Sequence, residues 1–207
     1  MPVFAFASVN NVGPRANGAV SEAGVISDAQ LLALAAESQH DALDALYSTY
    51  KSRIYTFLLR FLADAELADD VTQEVFTKAF HALPKLDRGT KVLPWLYRVA
   101  SNCAIDHIRR RRRFQWLRMS AIESTSEEPA DSDRSVEVGE REHVQAVLRT
   151  LPPENAAALL LHALEGYSYK EIAEIQGVTM TAVRSRIARA RASFKASYLT
   201  RGAGRSS

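Results

Sequence analysis

Only one cysteine, Cys103, stands among the 207 residues, which excludes an internal disulfide framework and any cysteine-rich zinc site and suits a reducing compartment. His40, His81, His143 and His162 are scattered, and the pair Cys103 and His107, one helical turn apart, has no second pair to complete a tetrahedral site. No metal and no cofactor are expected, and Cys103 reads as a small core residue. No run approaches the roughly 18 apolar residues of a membrane span, and the opening Met1-Pro2-Val3-Phe4-Ala5-Phe6 lacks the basic segment of a secretory signal. A cytoplasmic chain without direct membrane insertion is the expectation. Strand patterning is scarce as well: Val3-Phe4-Ala5-Phe6-Ala7 alternates, but it has neither turn nor partner strand. A surplus of one charge is missing too, since the formal net of +2 is too small to identify a polyanion binder from the total alone.

Hydrophobic residues at 47% and charged residues at 24% are ordinary globular values, so the chain is able to build a core. From Asp28 onward the apolar period is helical. Leu43, Leu46, Tyr47, Tyr50, Ile54, Phe57, Leu58, Phe61 and Leu62 recur at three- and four-residue steps on one long helix. Two further stripes can cover it: Leu67, Val71, Val75, Phe76 and Phe80, then Leu96, Val99, Ala100, Cys103 and Ile108. Between Met119 and Glu142 the composition turns to Ser, Thr, Glu, Asp and Pro, with too few apolar side chains to offset the entropy of ordering them. Helical patterning resumes near Val136, and Pro153 is suited to the first turn of the helix that follows Pro152. The expected fold is all-α, with two small helical domains joined by a flexible acidic linker. Residues 1–27 form a disordered extension, 28–118 the first domain, 119–134 the linker, 135–200 the second domain and 201–207 a tail.

The near-neutral total hides a segregated pattern. Arg98, Arg109, Arg110, Arg111, Arg112, Arg113 and Arg118 close the first domain with Asp106 as the only acid among them, and Arg184, Arg186, Arg189, Arg191, Lys195, Arg201 and Arg205 close the second with none. The linker carries the opposite sign. Two separate cationic surfaces point to one polyanion held at two places. Taken alone, the run 109–113 is equally compatible with a solvated helix end favoured by the macrodipole.

The stretch Gly166-Tyr167-Ser168-Tyr169-Lys170-Glu171-Ile172-Ala173-Glu174-Ile175-Gln176-Gly177-Val178-Thr179 reads as a helix-turn-helix. Ser168 with Glu171 makes a capping box, Gly177 supplies the tight turn, and Thr179 caps the second helix. Ile172 and Ala173 are expected inside against Val183 and Ile187. Thr181, Ala182, Arg184, Ser185, Arg186 and Arg189 are left on the outer or N-terminal surface, as a recognition helix entering a major groove requires. In the first domain Arg98, Asn102, Asp106, Arg109 and Arg113 share one helix face beside Trp95, a mixture of amide, carboxylate and guanidinium that suits base edges. Trp95 itself reads as core or as a base platform. Asp69, Asp70, Gln73 and Glu74 form an acidic patch that is a poor DNA surface and would meet a protein, or else is a solvated face.

These residues carry a resemblance. Asp69-Asp70-Val71-Thr72-Gln73-Glu74-Val75-Phe76, Pro94-Trp95-Leu96-Tyr97-Arg98-Val99-Ala100-Ser101-Asn102 with Asp106-His107-Ile108-Arg109-Arg110, Leu151-Pro152-Pro153, the helix-turn-helix and Val183-Arg184-Ser185-Arg186-Ile187-Ala188-Arg189-Ala190-Arg191 follow one another in that order. Over residues 28–195 the chain resembles the bacterial extracytoplasmic-function (ECF) sigma factors. The resemblance implies a non-enzymatic transcription initiation factor that binds core RNA polymerase and directs promoter recognition and melting. It implies that Asp69, Asp70, Gln73 and Glu74 bind the polymerase. Leu86, Asp87, Arg88 and Gly89 would capture a flipped minus-10 base, and Trp95, Arg98, Asn102, Asp106, Arg109 and Arg110 would hold minus-10 DNA. The helix after Thr179 would read minus-35 through Thr181, Ala182, Arg184, Ser185, Arg186 and Arg189, with Thr181 and Ala182 where the family commonly has Gly-Thr. Promoter DNA and an anti-sigma factor are the further expected partners. The competing reading is a free-standing repressor or activator with a ligand-sensing first domain, which has no need of the second arginine-rich helix.

Overall fold

The computed structural model describes residues 26–121 and 139–203. The expectations for the extension before residue 26, for most of the linker and for the last residues of the tail lie outside the described residues. Among the described residues eight α-helices follow in order: α1 Asp28–Glu37, α2 Gln39–Leu62, α3 Ala65–Ala82, α4 Val92–Ala121, α5 Gly139–Thr150, α6 Pro153–Ala163, α7 Tyr169–Gln176 and α8 Met180–Ala203, with a 3₁₀ turn at Leu83–Lys85. There is no strand among the described residues. The first four helices make the first domain and the last four the second.

Local chemistry sets most of the boundaries. Ser27 accepts from the Gln30 amide while the Gln30 side chain reaches back to the Ser27 backbone, a capping box that opens α1. Ser38 stops α1 and caps α2 in turn. Ala63 ends α2 in the left-handed region at φ 54°, and the Asp64 carboxylate then accepts from the Leu67 amide at 3.1 Å to start α3. The start of α4 is capped from a distance: Asp28 Oδ2 accepts from the Val92 amide at 3.2 Å. Its Oδ1 accepts from the Tyr50 hydroxyl at 3.0 Å, and burial together with the Asp28 charge pushes the Tyr50 phenol well above its ordinary range. One carboxylate thus ties α1 to both α2 and α4. Pro94 falls in the first turn of α4, where its missing N–H costs nothing. The helix runs on to Ala121, three residues past the expected domain edge.

The α2 stripe is buried as its period requires: Leu46, Ile54, Phe57 and Leu58 lie at or below 1% exposure, against Val71, Val75 and Phe76 of α3 and Leu96 and Ala100 of α4. Trp95 is half-buried and packs against this core, and Cys103 is buried. In the second domain Leu159, Leu160 and Leu161 of α6 meet Ile172, Ile175, Val183 and Ile187 of α7 and α8. At about 1.5 to 3 kcal/mol for each fully buried Leu or Ile side chain, this apolar face supplies most of what holds such short helices.

The two domains also touch. Their buried side chains form one continuous cluster, with Tyr97 of α4 edge-on to Tyr167 of the α6–α7 connection at 5.6 Å between ring centroids.

Candidate nucleic-acid interface

The helix-turn-helix is built by its own short-range bonds. The Ser168 hydroxyl accepts from the Glu171 amide at 3.3 Å and the Glu171 carboxylate accepts from the Ser168 amide at 2.9 Å. Gly177 closes α7 at φ 64°, its amide donating back to α7 carbonyls, a conformation that costs an L side chain about 1–2 kcal/mol. Thr179 Oγ1 then accepts from the Ala182 amide at 3.2 Å. Ile172, Val183 and Ile187 are buried and Ala173 is half-buried, so α8 is held by its inner face. Thr181, Arg184 and Arg189 are exposed, while Ala182, Ser185 and Arg186 are half-buried. Arg186 Nη1 donates to Gln176 Oε1 at 2.7 Å, a tie from α8 to α7 that the sequence pattern did not show.

On α4 the structure places Arg98, Asn102, Asp106, Arg109 and Arg110 all at exposed positions. The spacing of three or four residues puts the first four on one face. Leu86, Asp87, Arg88 and Gly89 form the connection before α4; Leu86 packs on the core and the other three are exposed. A turn with the Thr90 amide donating to the Asp87 carbonyl at 2.9 Å shapes it. Beyond the arginine run, Phe114 and Trp116 stand 63% and 67% exposed, aromatic surface that the sequence reading left unassigned.

Asp69, Asp70 and Gln73 are exposed on α3, Gln73 Nε2 donating to Asp69 Oδ2 at 3.3 Å. Glu74 differs. Its carboxylate takes Lys78 Nζ at 2.7 Å and His107 Nε2 at 2.8 Å. The Lys78 hydrogen bond, partly opposed by desolvation and reinforced by His107, holds its pKa at about 2. Lys78 also donates to Cys103 Sγ at 3.3 Å, while burial pushes that thiol up. Lys78 lies at i+4 from Glu74, a spacing that could have signalled the pair though the sequence reading did not draw it; His107, on another helix, has no such signal.

The two cationic surfaces come together. Arg109 pairs with Glu154 of α6. Arg112 donates to the carbonyls of Arg149 at 2.8 Å and Leu151 at 3.2 Å. Arg149 donates to the Ala63 carbonyl at 3.0 Å. Tyr97 donates to Glu165 Oε2 at 2.5 Å, and Arg53 lies 3.7 Å from the same oxygen. Burial and then the Glu165 charge push the Tyr97 phenol far above its ordinary range, so it stays a donor. Arg109, Glu154, Ala182, Ser185, Arg186 and Arg189 line a single open cleft.

Residues 46–114 match Sigma-70 region 2 and residues 141–194 match Sigma-70, region 4. The RNA polymerase sigma-H factor of Pseudomonas aeruginosa is 34% identical over 173 residues, covering 79% of this chain and 90% of the relative. The ECF RNA polymerase sigma factor SigM of Bacillus subtilis is 32% identical over 157 residues, covering 75% of this chain and 94% of the relative. Among solved structures, CnrH in complex with the cytosolic domain of CnrY superposes with a TM-score of 0.59 at 27% identity, over 82% of this chain and 95% of CnrH.

Proposed function

Because the chain belongs to the ECF RNA polymerase sigma factors, transcription initiation factors that act with core RNA polymerase, we propose a division of that work among its surfaces. Asp69, Asp70, Gln73 and Glu74 on α3 bind the polymerase. The loop from Leu86 to Gly89 and the α4 face of Trp95, Arg98, Asn102, Asp106, Arg109 and Arg110 hold minus-10 DNA, and the N-terminal part of α8 reads minus-35. The observation that carries the reading is the helix-turn-helix: buried Ile172, Val183 and Ile187 fix α8 so that Thr181, Arg184 and Arg189 stand outward, the arrangement that places base-reading side chains in a major groove.

Glu74 contributes to the polymerase surface with a fixed negative charge, since its low pKa keeps it ionised. The protein works as a binding subunit, not a catalyst, and does so in the cytoplasm; among the described residues no helix is long and apolar enough to cross a membrane. A cognate anti-sigma factor is its inhibitory partner, as the complex of CnrH with the cytosolic domain of CnrY illustrates for a relative held by another protein.

The test separates the two kinds of surface. Asp70→Lys with Glu74→Lys should abolish assembly with purified core polymerase, and Arg184→Ala with Arg186→Ala should leave assembly intact. The arginine pair should lose about 1–3 kcal/mol of promoter affinity for each base-reading contact, with a shallower salt dependence where a phosphate contact is lost. Tight promoter binding without core, indifferent to the acidic reversal, would overturn the reading.

A further inference from the structure

The cleft between the opening turn of α6 and the outer side of α8 holds a polar group with nothing to bind. Asn155 lines this cleft at only 5% exposure. Its backbone amide donates to the Pro152 carbonyl at 2.9 Å, but its side-chain amide makes no hydrogen bond among the described residues. Buried polar groups are ordinarily paired, so an amide left open toward a cleft points to a ligand. The volume of about 540 Å³ falls within the roughly 300–1,000 Å³ of small-molecule sites.

Charge and shape specify the ligand. Arg109, Arg186 and Arg189 stand against one carboxylate in the lining, that of Glu154, which Arg109 already neutralises. The 11-residue helix α6 begins at Pro152 with no side-chain cap, so the positive end of its dipole adds to an excess that favours an anion. Arg186 is held in place: its Nη1 donates to Gln176 Oε1 at 2.7 Å, while Gln176 Nε2 donates to the Glu154 carbonyl at 3.2 Å. Its other N–H groups remain for a ligand. Pro152 and Ala182 supply apolar surface for the plane of a base. A primary amide offers both donor and acceptor, and the adenine edge meets both at once, with N7 accepting and N6 donating.

We propose that this cleft is an adenine-nucleotide site: Asn155 pairs with the base edge, and Arg186 and Arg189, with Ser185, hold the phosphates. Both arginines are also placed on the minus-35 surface above, but failure of that reading would leave this site standing. A phosphate of duplex DNA is the other source of the same anion. The free nucleotide is favoured because a side chain 5% exposed inside a cleft is reached by a flat base edge and not by the convex backbone of a paired duplex.

Isothermal titration calorimetry on the full chain, in magnesium-free buffer, compares ATP, GTP, inorganic phosphate and a short duplex of arbitrary sequence. Wild type should bind ATP in the millimolar range or tighter, and GTP and phosphate about tenfold more weakly, since neither satisfies both sides of the amide. Asn155→Asp removes the donor and adds a like charge, and Arg189→Ala removes a guanidinium; each should weaken ATP about tenfold or more, the worth of one hydrogen bond to a charged group. Arg191→Ala, at an exposed α8 position outside the cleft, should stay within about twofold of wild type. Circular dichroism establishes that each variant keeps its helices; should buried Asn155→Asp not fold, Arg189→Ala at its exposed position still decides. No heat with millimolar ATP, binding of the duplex alone, or ATP affinity that Arg189→Ala and Arg191→Ala lower alike overturns the site. ATP bound no tighter than GTP or phosphate overturns its assignment to adenine. Failure of wild type to direct initiation with core would instead overturn the functional reading and leave these affinities as they are.

Discussion

Gly177 and Ala63 occupy the same backbone region, φ 64° and φ 54°, at the ends of α7 and α2, and this makes them a matched pair for a reciprocal test. An L side chain in the left-handed region costs about 1–2 kcal/mol, while replacing glycine by alanine recovers about 0.4–1 kcal/mol by restricting the unfolded chain. Gly177→Ala should therefore destabilise by about 1 kcal/mol, and Ala63→Gly should stabilise by a similar amount. Steric conflict does not confuse the comparison, because the new Cβ at position 177 would meet Arg98 at an ordinary contact distance of 3.6 Å. The contact at Ala63 with Arg149 uses the carbonyl, which the substitution keeps. With a urea slope of about 2 kcal/mol/M, each change moves the unfolding midpoint by ~0.5 M, in opposite directions and with the slope unchanged. The two positions share no hydrogen-bond partner, so the double variant should return close to wild type. Midpoints followed by far-UV circular dichroism decide it. Shifts of the same sign, or a neutral Gly177→Ala, would refute the claim that backbone conformation sets these two helix ends.

Three further outcomes are expected. Glu74→Gln should cost about 1 kcal/mol at neutral pH, less than the full pKa shift would give because the carboxylate is a third exposed and screened; since its folded pKa lies near 2, below the ordinary carboxylate value, the wild-type advantage should persist above about pH 5 and fade as pH falls toward 2, as acid titration of both proteins would show. Ile172→Ala, which empties a fully buried site between α7 and α8, should lose about 2–5 kcal/mol in urea denaturation and, on the proposed division of surfaces, weaken minus-35 binding, because α8 loses the contact that orients it. Ser168→Ala should lose about 1 kcal/mol through the capping box, with hydrogen exchange rising first at the amides of α7.

The parts legible in the sequence were those whose causes are local. Ser168 with Glu171, Gly177 and Thr179 specify caps and a turn within a dozen residues, and the structure shows each of those bonds. The α2 stripe was legible for a similar reason, since helical period and burial are one signal. The break between α1 and α2 was available in Ser38, whose hydroxyl caps α2, but a serine inside a polar helix face looks like any other surface residue. The end of α4 had no signal: neither glycine nor proline interrupts the sequence between Pro94 and Pro129, and the change to acidic composition marks a shift of charge more clearly than a helix end. Least legible were Tyr97 with Glu165 and Arg109 with Glu154. Their partners are 68 and 45 residues away, and no period or spacing in one chain encodes a pairing between domains. Arg109 therefore read as a DNA residue or as part of a solvated helix end, though in the structure the same guanidinium meets a carboxylate of the second domain.

The carboxylate of Asp28 has a bearing on where this fold can be cut and rejoined. The stretch matched to Sigma-70 region 2 begins at residue 46, inside α2, and a cassette exchanged between relatives would naturally be drawn there. Such a seam would discard α1, remove the acceptor for the Val92 amide and the Tyr50 hydroxyl, and uncover the face that Leu31 and Leu32 protect. The loop of residues 86–91 would lose the fastening at its far end. The smallest transplantable unit therefore starts at Ser27, whose capping box opens the helix that carries Asp28, and a chimera joined there should keep the loop before α4 in shape where one joined at 46 would not.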